Sequence, residues 1–134
     1  MFGVLDVSTS GLIAQRTRLE IISANLDNSD SLLNAAGEYE PYRRRFAVLA
    51  AGDPSLGEPD GVHIASIELD QSPLRRKYEP GSPFADEKGY VSYPNVNPVM
   101  EQMNAMEAVR AYEANIAAIE ATKSMMTVAL QIIA

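Results

Sequence analysis

Apolar residues recur with one spacing at both ends of the chain. Toward the carboxyl end, Val109, Tyr112, Ile116, Ile119, Lys123, Met126, Leu130 and Ile133 alternate steps of three and four, with Lys123 the one charged member. Residues three and four apart share a helix face, so the spacing predicts a long helix that packs along a seam. Asn97 can cap it, Pro98 suits its first position, and Glu101 favours its positive end. A second row, Ala111, Ala114, Ala118, Ala121, Met125, Val128 and Ile132, covers another face, and only Glu113, Glu120, Ser124 and Gln131 form a consistent polar stripe. A helix apolar nearly all round requires cover nearly all round. A well-packed single core or neighbouring copies of the chain would each supply it, and both remain open at this point.

The amino-terminal pattern matches. Leu5, Leu12, Leu19 and Leu26 recur every seven residues, Ser8, Gln15 and Ile22 fill the alternate seam positions, and Val7, Ala14 and Ile21 make a second row. A helix from about Val4 to about Asn28 follows. Ser8 and Gln15 weaken its seam and Gly11 costs about 1 kcal/mol, so it needs a partner, for which the carboxyl-terminal seam is the obvious choice. The expected fold is mainly α, with long N- and C-terminal helices packed as a coiled-coil-like hairpin around a small β-rich middle. The expected divisions are 1–30, 31–97 and 98–134.

Proline placement supports that division, because all eight prolines fall between Pro41 and Pro98 and proline disrupts helix interiors. Residues 42–50 and Val62–Leu69 have the aromatic and β-branched character of strands, and shorter strands are expected to end at Tyr78 and to run Tyr90–Tyr93. Gly52–Gly61, with two prolines and three glycines, reads as an exposed, mobile loop.

Composition narrows the function by exclusion. The net charge of −7 argues against a general nucleic-acid binder, and the absence of cysteine rules out disulfides and thiolate metal sites. No run of 18 uninterrupted apolar residues suggests a membrane span, and no basic n-region with a long apolar stretch suggests a cleaved signal peptide. His63, the one histidine, reads as structural or surface. Asp53, Glu58 and Asp60 lack calcium-loop spacing. Arg43–Arg45 and Arg75–Lys77 are expected to pair with acidic neighbours. Catalytic motifs, cofactor sites, metal sites and a small-molecule substrate find no positive signal.

Several segments carry a family resemblance. Ser23-Ala24-Asn25-Leu26-Asp27-Asn28 resembles the amino-terminal signature of the bacterial flagellar rod, hook and hook-associated proteins. Tyr78 to Asp86, Gly89-Tyr90-Val91, Pro94-Asn95-Val96-Asn97, Arg110 to Asn115 and Lys123 to Met126 are similar to that family's short rod members, and the likeness spans essentially the whole chain. Asp27 and Gln102 stand where the family often has small or apolar residues. The resemblance implies a structural subunit of the proximal rod, whose terminal helices line the inner tube of a helical assembly that transmits torque. It implies as partners other rod proteins, the adaptor joining the rod to the membrane ring, and copies of the chain itself. It further implies export through the flagellar type III apparatus to the periplasmic part of the basal body without signal-peptide cleavage. The family motif positions are Asn25, Leu26, Asn28, Pro80, Gly81, Pro94, Asn95 and Asn115. The residues expected to carry packing are Leu5, Leu12, Leu19, Ile22, Leu26, Val109, Tyr112, Ile116, Ile119, Met126, Leu130 and Ile133. The Val109–Ile133 seam is expected to hold the chain's own N-terminal helix and the Ala111–Ile132 face to meet other subunits. A free helical-hairpin adaptor of the cell envelope is the alternative.

Overall fold

The computed structural model describes residues 2–55 and 57–134, with only the backbone given for Phe2 and Glu58. Two long helices bracket four strands: α1 (Phe2–Asp27), β1 (Arg45–Asp53), β2 (Glu58–Leu69), β3 (Arg75–Tyr78), β4 (Tyr90–Tyr93) and α2 (Pro98–Ile133). The start of α2 follows the local chemistry. Asn97 is extended, its side-chain oxygen accepts from the N–H groups of Val99 and Met100, and Pro98 occupies the first turn.

The helices form an antiparallel hairpin. Asn25 meets Glu101, Arg18 meets Glu107, and a Cβ at Gly11 would stand 2.8 Å from Asn115 Nδ2. Following that register, α1 runs out at about the level of Ser124, and the last turns of α2 extend beyond it. The ten-residue difference between the 36 residues of α2 and the 26 of α1 amounts to about 15 Å of helix.

The seam differs from the expected one by a single row. On α2 the covered positions are Ala108, Tyr112, Asn115, Ile119, Thr122, Met126 and Ala129, with Ala108 fully buried. Val109, Ile116, Leu130 and Ile133 lie to one side and are exposed, as is Lys123. The reason is steric. The helices come close at Gly11, where an added Cβ would meet Asn115, and at fully buried Ala108, while Tyr112, Ile119 and Met126 of the same row stay half-covered. The hairpin closes on a row that mixes small and large residues and leaves much of its large apolar surface outside.

The middle is two ladders, where the sequence suggested one small module. β1 and β2 pair antiparallel with irregularities at Val48/Leu49 and Ala51/Asp53, and β3 pairs antiparallel with β4. The first ladder packs on α1, where Ser10 Oγ accepts from the Val62 N–H at 3.1 Å. Gly61, at φ +88°, turns the backbone where a side chain would strike Ser10. The stretch Gly52–Gly61 is therefore mostly hairpin, corrected from the loop its glycines and prolines suggested; Asp53 pairs with Glu58 and only the tip turns. The glycines serve a positive-φ bulge and a close approach to α1. His63 is structural, its Nδ1 donating to the Gly52 carbonyl at 2.7 Å.

By length and composition alone α2 would suffice to cross a membrane, with a mean hydropathy of 1.3 over its most apolar window. This is an exception to the expectation from uninterrupted runs. Hydropathy averages over interspersed polar residues such as Glu113, Glu120 and Lys123, which an apolar run does not tolerate.

Candidate assembly surfaces

A polar cluster sits at the closed end of the hairpin. Asn25 of α1 is completely buried, and its Nδ2 donates to the Arg45 carbonyl at 2.8 Å and to Glu101 Oε2 at 3.2 Å. Its Oδ1 accepts from the Arg45 N–H at 3.0 Å and from the Tyr42 hydroxyl at 2.8 Å. Glu101, buried in the first turn of α2, accepts a close hydrogen bond from Arg44 Nε. Arg44 also reaches Asp70 Oδ2 at 3.3 Å, and its N–H donates to Asn95 Oδ1 at 2.7 Å. Asn95 Nδ2 in turn donates to the carbonyls of Asp70 and Ser72. One cluster thus ties both helices to β1, to the chain leaving β2 and to the linker before α2.

Its electrostatics follow from that geometry. Burial works against the Arg44 charge, but hydrogen bonds and charges from Glu101 and Asp70 outweigh it and strengthen the guanidinium's hold on its proton. Hydrogen bonds from the Ser72 hydroxyl and N–H, joined by Arg44, hold the Asp70 carboxyl below its usual range. Burial raises the Tyr42 phenol, opposed by Arg45 and helped by Glu101. Neutralisation of the basic runs is visible elsewhere too, with Arg75 near Asp30, Arg76 on Asp86 and Lys77 on Glu79. Among the described residues no group of three His, Cys, Asp or Glu is placed to hold a metal.

The motif positions have separate local tasks. Asn28 ends α1, donating to the Ala24 carbonyl at 2.8 Å and accepting from Ser31 Oγ at 3.0 Å. Pro80 packs where a Cβ on Gly89 would meet it at 3.2 Å, and Gly89 holds φ +84°. Pro94 is buried and its carbonyl accepts from Arg75 Nε at 2.9 Å. Asn115 bonds the Ala111 carbonyl and lies against Gly11. Leu26 is half-buried, while nothing stands near Gly81 to explain it.

The twelve packing candidates divide. Ile22 is buried, Leu5, Leu12, Leu19, Leu26, Tyr112, Ile119 and Met126 are half-buried, and Val109, Ile116, Leu130 and Ile133 are exposed. Exposure rises along α2, from 37% at Ile116 to 66% at Leu130 and 82% at Ile133. Met125, Val128 and Ile132 share that end, lining an apolar cleft of about 430 Å³ with Ser124 and Ala129. Nearer the start of α2, Val99, Met100, Met103 and Met106 form a second exposed apolar group. Exposed large apolar side chains such as these are candidate contact surfaces. Sequence reasoning missed the roles of Glu101, Arg44 and Asp70. The available signal was that Glu101 lies seven residues before Ala108, on the covered row of α2.

Comparison with known proteins defines the class first. The family model described as flagella basal body rod protein matches residues 5–31, and that described as flagellar basal body rod FlgEFG protein C-terminal matches residues 87–132, so the two helices and β4 carry the marks of rod proteins. Over its length the chain is 42% identical to the flagellar basal-body rod protein FlgC of Salmonella typhimurium, covering 94% of this chain and 92% of that one. It is 39% identical to FlgC of Escherichia coli O6:H1 at the same coverage, and 37% identical to FlgC of Bacillus subtilis over 98% of this chain and 97% of that one. The chain belongs to the FlgC family of flagellar basal-body rod proteins.

Proposed function

We propose that the chain works as a structural subunit of the proximal rod, joining copies of itself and other rod proteins into a helical tube that transmits torque. The observation that carries this reading is the outward placement of large apolar side chains along α2, from Val109 and Ile116 to Leu130 and Ile133. A rod is built from heterologous contacts repeated along a helix, so one subunit must offer different faces to different neighbours. A hairpin that covers one row of α2 leaves such faces free. Fully burying one Leu or Ile contributes about 1.5–3 kcal/mol, so a few per contact hold a tube without covalent links.

Within the tube the helices of 1–30 and 98–134 line the inside in coiled-coil-like packing, and 31–97 lies outside. The adaptor between rod and membrane ring is a further neighbour. The subunit reaches the periplasmic basal body through the flagellar type III apparatus without signal cleavage. Cover for α2 is protein, not lipid: α1 already lies along one of its faces, and Glu113, Glu120 and Lys123 interrupt the others. The mode of action is packing, with no chemical step.

Leu130→Asp and Ile116→Asp test this reading. Both residues are exposed in the single chain, so the variants should be expressed and folded, yet should fail to build rods and abolish swimming. Normal motility in both would overturn it. Co-purification of the parent with basal bodies separates a rod subunit from a free envelope adaptor.

A further inference from the structure

We propose that one subunit grips the next copy of the chain through a cleft beside Arg43 and Arg45, which takes the Val109–Glu120 stripe of the neighbour's α2. The cleft, of about 580 Å³, lies between the turn at residues 31–41 and the end of the first ladder, where Arg45 is paired with Leu69. Leu33 comes to it from the turn, and Leu69 and Leu74 from the end of β2 and the chain that follows. Leu33 and Leu69 are both exposed. The turn is fixed before any partner arrives. Leu33 bridges to Tyr39, whose hydroxyl accepts from the Ser92 N–H at 3.1 Å and donates to the Ser92 carbonyl at 2.9 Å. The Tyr39 ring also stacks on Phe84, with centroids 4.9 Å apart.

Charge identifies the occupant. Among the described residues, Arg16, Arg18, Arg44, Arg75, Arg76 and Lys77 each pair with a carboxylate. Arg43, Arg45, Lys88, Arg110 and Lys123 do not, although the chain carries a net charge of −7, and of these Arg43 and Arg45 stand side by side. Arg43 donates to the Asp70 and Ser72 carbonyls at 3.1 and 2.9 Å, and Arg45 lies 5.8 Å from the centre of the Tyr42 ring. Glu40 also lines the cleft, but its Oε2 accepts from Asn34, so two guanidinium charges meet one carboxylate. The fitting partner carries carboxylates between apolar side chains. Val109, Glu113, Ile116 and Glu120 supply that alternation along one flank of α2; all are exposed, and among the described residues neither glutamate has an ion pair. The chain cannot seat this stripe in its own cleft. Glu101 meets Arg44 at the cleft's end of the hairpin, and Glu113 and Glu120 lie about 18 and 29 Å farther along α2. A contact between unlike surfaces leaves the other half of each subunit free, so it repeats from copy to copy. Its ion pairs select partner and register more than they add affinity. The choice of a second copy rests on the assembly reading above.

The chain has no natural cysteine, so Leu33→Cys combined with Ile116→Cys reports the contact as a disulfide between copies. Mild oxidation of purified basal bodies carrying the double variant should give linked multimers of this chain, with at least tenfold less from either single variant. Rods that contain the double variant but yield no multimers would overturn the contact and leave the assembly reading standing. Linkage to a chain of another mass would overturn the second copy as occupant. Parent basal bodies lacking the chain would overturn both readings. Charge reversal decides independently. Glu113→Arg with Glu120→Arg should cut incorporation into rods at least tenfold while keeping the parent's far-ultraviolet circular dichroism, and adding Arg45→Glu should restore at least half of it. Full incorporation of the reversed pair, or a loss that Arg45→Glu does not rescue, would overturn the proposal.

Discussion

Gly11 sits in the middle of a helix, where replacing it by alanine ordinarily stabilises by about 1 kcal/mol. Here the added methyl would lie 2.8 Å from Asn115 Nδ2, 3.0 Å from Oδ1 and 3.1 Å from Cγ. Asn115 cannot simply swing aside without stretching its 3.0 Å hydrogen bond to the Ala111 carbonyl. Overpacking of this kind costs about 1–3 kcal/mol, so Gly11→Ala should be destabilising by roughly 1 kcal/mol once the helix preference is subtracted. In an Asn115→Ala background the obstruction is gone and the same change should stabilise by about 1 kcal/mol. The pair therefore shows a coupling of about 2 kcal/mol with a reversal of sign. Urea unfolding followed by far-ultraviolet circular dichroism reads it directly: with a slope of about 1–3 kcal/mol per molar, the effect of Gly11→Ala on the midpoint should differ by about 1 M between backgrounds. Equal midpoint shifts in both would refute the close approach of the helices at this point, and with it the account of why the large side chains are left outside.

Two further outcomes follow from the same geometry. Because the Asp70 carboxyl is held below its usual range, its contribution is complete above pH of about 4 and is lost as the pH falls through the lowered folded-state value. Asp70→Asn should thus destabilise at pH 7, by about 1 kcal/mol or less for this partly solvated group, and the gap to the parent should narrow as the pH falls below about 4; an equal gap across that range would count against it. Backbone amides beyond Ser124, where α2 has no partner helix, should exchange freely in the isolated chain and at least tenfold more slowly in assembled rods. Protection in the isolated chain equal to that around Ala108 would contradict the unpartnered end.

Much of the fold was legible because it is local. The cap at Asn97, the prolines confined between Pro41 and Pro98, and the seven-residue recurrence of leucines each act within a few residues, so the two helices and strands β3 and β4 could be placed from the chain alone. The Gly52–Gly61 stretch was misread because glycine and proline signal turns wherever they occur, while here they serve a bulge and a contact with Ser10 that belongs to another element. His63 is hydrogen-bonded to backbone as a structural residue, and Arg44, Arg75, Arg76 and Lys77 pair with acidic groups, whereas Arg43 donates to the Asp70 and Ser72 carbonyls; the partners of Arg44 could not be named, since Asp70 and Glu101 are 26 and 57 residues away.

The amino-acid sequence by itself determined that two amphipathic helices of opposite ends would seek each other, and that one of them carried more apolar surface than a single partner could cover. Which row would close the hairpin was decided only in three dimensions. Periodicity marks the rows that are apolar but is blind to the distance between helix axes, and the close approach at Gly11 and Ala108 favours the row that carries Ala108. The same holds for Glu101. Its position near a helix start suggested a charge favouring the positive helix end, whereas packing buried it beside Asn25 and Arg44, where its worth depends on groups brought together from across the chain.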